Sequence, residues 1–158
     1  MPAPTHRTID ASVFLEVYLQ GTHADACEEF LNLDVSSDTI LSDLTIGEVI
    51  LNLKVTQDIE LAEQALPNFL ARVDSYRLVP LAPDCFDLIR TEDFKELRGV
   101  QDKDRLVLAY AISNGLTQLT TLDRGLLDEQ AAVNSICEER GVEPLRIEWP
   151  RSARKGRR

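Results

Sequence analysis

DKDRLVLAYAISNGLTQLTTLDRG, residues 102–125, holds a helix, a turn and a strand in one short stretch. Asp104 to Ser113 reads as an apolar helix with Asp102 as its cap and Gly115 as its stop. Gln118 to Leu122 then reads as a strand that delivers Asp123 at its carboxyl end. Working outward, the same alternation recurs. Arg7 to Asp10 is a strand entering a helix at Val13 to Leu19, and a second helix spans Ala24 to Leu33. Thr39 to Leu41 is a short strand, Leu44 to Val55 a helix, and Ile59 to Val73 another, with Pro67 placed to kink it. Tyr76 to Pro80 is a strand, and Pro83 opens a helix running towards Leu97. Leu126 to Arg140 is helical up to Gly141, and Leu145 to Trp149 is a closing strand. Short strands alternating with helices predict an α/β fold with a parallel sheet covered on both faces.

At 158 residues and 44% hydrophobic content the chain can bury one sizeable core. One domain over residues 1–150 is expected, since no repeat, low-complexity stretch or Gly/Ser linker divides it. The net charge of −10 conceals an asymmetry, because Arg151, Arg154, Lys155, Arg157 and Arg158 fall in the last eight residues. Without those five cations, 12 basic residues face 27 acidic ones, a net charge of −15. Such a body binds nucleic acid poorly unless metal ions, local basic patches or the tail help. Residues 151–158 are expected to be a solvated basic terminus. The start reaches Asp10 without an apolar stretch, which argues against a secretory signal. The longest uncharged run, Leu106 to Leu122, is too polar for a membrane span. A soluble, cytoplasmic protein is the expectation. Cys27, Cys85 and Cys137 lack any CxxC spacing and read as buried, reduced thiols.

Four acidic residues stand where a solvated face does not belong. Asp10 and Asp123 each follow a strand, at the sheet edge where open α/β proteins build their sites. Glu48 lies in LTIGEVILNLKV, a helix apolar on nearly every side, where Thr45, Glu48 and Asn52 form one narrow polar stripe. Such a helix should be largely buried, and a buried carboxylate is costly unless paired or bound to metal. Asp104 shares its stripe with Val107, Leu108 and Ala111 and should point along the packed face. With His6 and His23 as the only histidines, a zinc site is unsupported, and oxygen ligands imply Mg²⁺ or Mn²⁺. No GxSxG, GxGxxG or GxxxxGK[ST] is present, so a serine hydrolase or nucleotide-cradling loop is unsupported as well.

These segments resemble the PIN domain, the nuclease fold of VapC-type toxins and related ribonucleases. The likeness rests on TIDASVFL with Asp10 and Ser12, LSDLTIGEVI with Glu48, DRLVLAYA with Asp104, and LTTLDRGL with Thr121 and Asp123. It spans roughly residues 7–148. One departure is Gly125, where many relatives carry a further acid; Asp128 is the nearest substitute. The resemblance implies a three-layer α/β/α fold and an endoribonuclease acting through Mg²⁺ or Mn²⁺. It assigns Asp10, Asp104 and Asp123 as metal ligands, Glu48 as a ligand or the base that positions water, and Ser12 and Thr121 as hydroxyls orienting the carboxylates. Lys103, Arg105 and the basic tail are expected to meet the phosphates of an RNA substrate. A VapC-like toxin would have a cognate antitoxin, and homodimers are usual for the family. Two rival readings stand beside it. One is a catalytically weak PIN-like module that binds RNA or a partner protein, supported by Gly125 and the acidic body. The other is an α/β phosphotransfer domain with an aspartyl nucleophile, disfavoured because Asp10-Ala11-Ser12 lacks a second acid.

Overall fold

The computed structural model describes residues 6–33, 38–56 and 58–151. The chain runs β1 (Arg7–Ile9), α1 (Ala11–Tyr18), α2 (Ala24–Leu33), β2 (Ile40–Leu41), α3 (Asp43–Val55), α4 (Ile59–Val73) and β3 (Arg77–Leu78). It continues through α5 (Pro83–Ile89), α6 (Glu92–Lys95), α7 (Asp102–Ser113), β4 (Gln118–Thr120), α8 (Arg124–Leu127), α9 (Gln130–Glu139) and β5 (Arg146–Glu148). Strands β1, β4 and β5 are parallel neighbours in the order β1-β4-β5, and β2 pairs in parallel with β3. A bridge between Arg7 and Thr39 sets β2 beside β1, so the carboxyl ends of all five strands share one edge.

Alternation along the strands sorts the core onto two sides. Leu119 and Ile147 are partners in the β4–β5 register and pack with α5 to α9 around Leu108, Tyr110 and Leu126. Ile9 faces the other way and packs with α1 to α4 around Phe14, Phe69 and Tyr76. The Phe14 ring meets Phe69 edge-on at 5.4 Å between centroids and Tyr76 at 6.1 Å. Tyr110 is buried, and its hydroxyl donates to the Val79 carbonyl at 2.7 Å, which satisfies the one polar atom it carries inside. The expected α/β architecture with a parallel sheet between two helical layers is the one the chain adopts.

Local chemistry sets the boundaries. The Ser42 hydroxyl caps α3 by accepting from the Thr45 amide at 3.1 Å, and Asp58 caps α4 through Leu61 at 3.0 Å. Gly115, at φ +65, ends the turn after α7 in a conformation that costs a side-chain-bearing residue more. Four expectations need correction. The helix from Pro83 breaks at Thr91, whose hydroxyl turns back to the Leu88 carbonyl at 2.7 Å, and α6 restarts beyond it to bury Phe94. The stretch from Leu126 to Arg140 is likewise two helices, α8 and α9. Asp102 is the first residue of α7 rather than its cap; Gln101 holds the cap position, and Asp102 lies 3.5 Å from Arg105 one turn on. Finally, α3 is not buried all round: Val49 and Leu53 are core, whereas Leu51 and Val55 are 62% and 67% exposed. All three cysteines are buried free thiols, as expected.

Because Phe14 anchors both edge-on pairs, Phe14→Ala should lower unfolding free energy by about 3–5 kcal/mol in urea titrations. A loss below about 1 kcal/mol would mean that this cluster does not hold α1 to α4 on the sheet.

Candidate active site

Asp10 follows β1 directly and starts α1, yet its side chain does not cap that helix. Its carboxylate, 4% exposed, turns instead to two hydroxyls. Oδ2 accepts from Ser12 Oγ at 2.7 Å and from Thr121 Oγ1 at 2.8 Å. Each hydroxyl has one proton and gives it to Asp10, while its lone pairs serve the chain beyond β4. Ser12 Oγ accepts from the Leu122 amide at 3.1 Å, and Thr121 Oγ1 from the Asp123 amide at 3.0 Å. The hydroxyls therefore knot the end of β1 to the end of β4 and fix Asp10 between them. The other oxygen, Asp10 Oδ1, is buried and has no hydrogen-bond partner among the described residues.

The remaining acids arrive from three elements. Asp104, in the first turn of α7, is 6% exposed, as its stripe required. Glu48 projects from α3 with its side chain 16% exposed; Oε1 forms a close ion pair with Lys103 Nζ, and Oε2 is buried without a hydrogen-bond partner among the described residues. Asp123 follows β4 and caps α8, Oδ1 accepting from the Gly125 amide at 2.7 Å. It is thus a turn aspartate as well as a member of the group.

The four acids are brought within electrostatic reach of one another, and Asp104 registers this. Burial pushes its carboxyl up, the Lys103 charge at 3.9 Å pulls it down, and Asp123, Asp10 and Glu48 each push it up again, to about 6. Lys103 is held above the ordinary lysine value: burial opposes this, but the hydrogen bond and charge of Glu48, with the charges of Asp104 and Asp10, outweigh it. Among the described residues, no three acid, imidazole or thiol side chains form a ready metal cage. The donor set nonetheless fits a hard divalent cation. Its members are carboxylates, and two of their buried oxygens, one on Asp10 and one on Glu48, lack the partner that burial demands.

The two cations expected near the site both have partners within the protein. Lys103 is engaged by Glu48 and Asp104. Arg105 donates to the Leu97 carbonyl at 3.0 Å and lies beside Asp102. Asp128 is exposed just past α8. Of the tail, Arg151 is described and exposed; residues 152–158 lie outside the described residues. Gly125 has a packing reason that the sequence could not reveal. A Cβ there would stand 3.0 Å from Asp123 Oδ1 and 3.3 Å from the Gly99 carbonyl oxygen, so a side chain would press on the carboxylate that its own amide holds.

Fold and site together define a parallel α/β protein with an acidic centre at the carboxyl edge of its sheet. Residues 8–132 match the family model described as the PIN domain, and the chain belongs to that family. Among curated proteins there is no match. Solved structures share the fold at low identity. The VapBC2 complex from Rickettsia felis, bound to a promoter DNA fragment, aligns with a TM-score of 0.61 at 17% identity over 92% of this chain and 98% of that one. FitAcB from Neisseria gonorrhoeae aligns at 0.59 and 16% over 75% and 88%. VapC20 from Mycobacterium tuberculosis, described as a sarcin-ricin loop cleaving toxin, aligns at 0.55 and 16% over 74% and 89%.

The pH dependence of stability tests this electrostatic picture. An Asp104 carboxyl at about 6 in the folded chain, against an ordinary 3.8, favours folding below 3.8 and loses that contribution as pH rises through 6. In EDTA at pH 8, Asp104→Asn should therefore be more stable than the parent by about 3 kcal/mol. The gap should close as pH falls from 6 towards 4. A gap that does not change with pH, read by denaturant melts, would contradict the assignment.

Proposed function

We propose that this chain is a Mg²⁺- or Mn²⁺-dependent endoribonuclease whose centre is Asp10, Glu48, Asp104 and Asp123. The observation that carries the reading is the pair of buried, unpartnered carboxylate oxygens, Asp10 Oδ1 and Glu48 Oε2, beside two further acids. Carboxylates gathered in this way repel unless a cation joins them. Membership of the PIN family and the VapC20 fold likeness support RNA as the substrate class.

On this reading Asp10, Asp104 and Asp123 hold the ion, and Glu48 either completes the set or accepts the proton of the attacking water. A bound Mg²⁺ or Mn²⁺ supplies Lewis-acid stabilisation of the charge that grows on a phosphodiester under attack by water. Ser12 and Thr121 have both hydroxyl protons committed to Asp10 Oδ2, which leaves Oδ1 as the oxygen that would hold a cation. Lys103 offsets part of the acidic charge by pairing with Glu48. We take residues 1–150 as the working unit and 151–158 as an appended basic segment.

Partners follow from the same reading. The fold relatives include toxin–antitoxin complexes, and we propose a cognate antitoxin protein for this chain, together with a homodimeric state. Exposed Leu51, Val55 and Ile59 at the α3–α4 junction, beside a cavity of about 200 Å³, offer apolar surface for a protein partner. Among the described residues no helix is long and apolar enough to cross a membrane, and we propose a cytoplasmic location.

Purified chain, freed of copurifying protein, should cleave RNA from a panel of single-stranded and structured substrates in Mg²⁺ or Mn²⁺ but not in EDTA. Asp10→Asn should abolish cleavage, and Ser12→Ala or Thr121→Val should slow it by roughly 10- to 100-fold. Failure to cleave in every condition, with tight binding of RNA or a partner retained, would favour the non-catalytic module. Glu48→Gln separates the two, because a binding module keeps its function.

A further inference from the structure

The sheet has a polar face that the acidic centre does not use. The β1–β4–β5 register sets Arg7 beside Gln118 and Gln118 beside Arg146, and two residues along it sets Thr120 beside Glu148. Alternation points all five side chains to the α1–α4 side of the sheet. There the edge of α2, through Phe30 and Leu33, leaves a cavity of about 380 Å³. Trp149 and Arg151 line it as well. Arg7, Arg146 and Arg151 thus line the cavity together with one acid, Glu148. Glu148 is already shared: it accepts from Gln118 Nε2 and lies 3.6 Å from Arg146.

The position of this cavity matters as much as its charge. Trp149 follows Glu148, whose carbonyl accepts from the Thr121 amide at 2.9 Å, and the Thr120 carbonyl accepts from the Asp10 amide at 2.9 Å. One end of the cavity therefore lies one residue from the hydroxyl that holds Asp10. Trp149 is the only tryptophan in the chain; it is partly exposed and is braced edge-on by His23 at 5.2 Å between ring centroids. Arg151 follows Trp149 by two residues, and the sequence beyond it adds Arg154, Lys155, Arg157 and Arg158 and no acid.

We infer that this cavity is a binding track for single-stranded RNA, with an unpaired base stacked on Trp149 and the phosphates following Arg151, Arg146 and Arg7. An aromatic platform flanked by arginines suits a strand whose bases are free to stack, and arginine meets phosphate oxygens with two donors at once. The track starts at the acidic edge and leads away from it, so it would hold the strand beside the bond to be cut. That choice of ligand rests on the ribonuclease reading. It also assigns the substrate a side: the strand lies across the α1–α4 face of the sheet.

Since Trp149 is the sole tryptophan, its emission reports the site directly. The whole chain in EDTA, which prevents cleavage, is titrated with a 12-nucleotide uridine oligomer and, separately, with inorganic polyphosphate of equal charge. Saturable quenching by the RNA and little by polyphosphate is expected. Arg146→Gln and Arg151→Gln, both at exposed positions, should each weaken RNA binding about tenfold. Together with Arg7→Gln they should flatten the salt dependence by roughly two units of log–log slope, given about 0.7 per phosphate contact. RNA binding that leaves the emission unchanged, equal quenching by polyphosphate, or unaltered affinity in the arginine variants would overturn the track. Cleavage in Mg²⁺ is scored separately. Quenching without cleavage would leave the track and remove the nuclease; cleavage without quenching would do the reverse.

Discussion

A carboxylate confined at the edge of a sheet must find compensation for the water it has lost, and Asp10 finds it on one oxygen only. Ser12 and Thr121 satisfy Oδ2 completely, and in doing so they join the ends of β1 and β4. Their lone pairs meanwhile hold the amides of Leu122 and Asp123, which directs the chain into α8. One set of hydrogen bonds therefore ties the ends of β1 and β4 together and sets the exit of β4 and the orientation of the central acid. Leaving Oδ1 bare would cost stability with no return unless something else binds there.

The surrounding charges follow from that constraint. α7 presents Asp104 from its first turn and α3 presents Glu48, so two helices from opposite layers of the fold meet across the sheet edge. Burial first, and then the charges of Asp123, Asp10 and Glu48, push the Asp104 carboxyl up, and Lys103 offsets part of this. Gly125 belongs to the same arrangement: its amide steadies Asp123, and its missing side chain leaves that carboxylate undisturbed. The charge of the centre combines the four acids with Lys103, which pairs with Glu48 and lies 3.9 Å from Asp104.

Much of this could be read from the sequence, for identifiable reasons. The α7–β4 unit is local, and its apolar spacing, Gly115 and terminal aspartate specify it without help from distant residues. The burial of Asp104 followed from its sharing a stripe with Val107, Leu108 and Ala111. Other features depend on what packs where. α3 is apolar on two faces, but the fold covers only one, and no pattern within the helix says which. The breaks at Thr91, whose hydroxyl turns back to the Leu88 carbonyl, and after α8 leave no mark on the helical periodicity. The arginine-lined face needs the register of three strands far apart in the chain, although the alternation of Arg146 and Glu148 was its one local sign. Lys103 was legible as a cation near the site, but not as the partner of Glu48 from another helix.

Direct binding of a paramagnetic ion probes the central claim most closely, because it does not require the substrate to be known. Titration of the chain with Mn²⁺, followed by loss of the free-ion electron paramagnetic resonance signal, should show saturable binding that Mg²⁺ displaces and that Asp10→Asn or Asp104→Asn weakens by an order of magnitude or more. Mn²⁺ that stays free at millimolar protein, or binding equal in the parent and both variants, would mean that the bare oxygens of Asp10 and Glu48 do not await a cation.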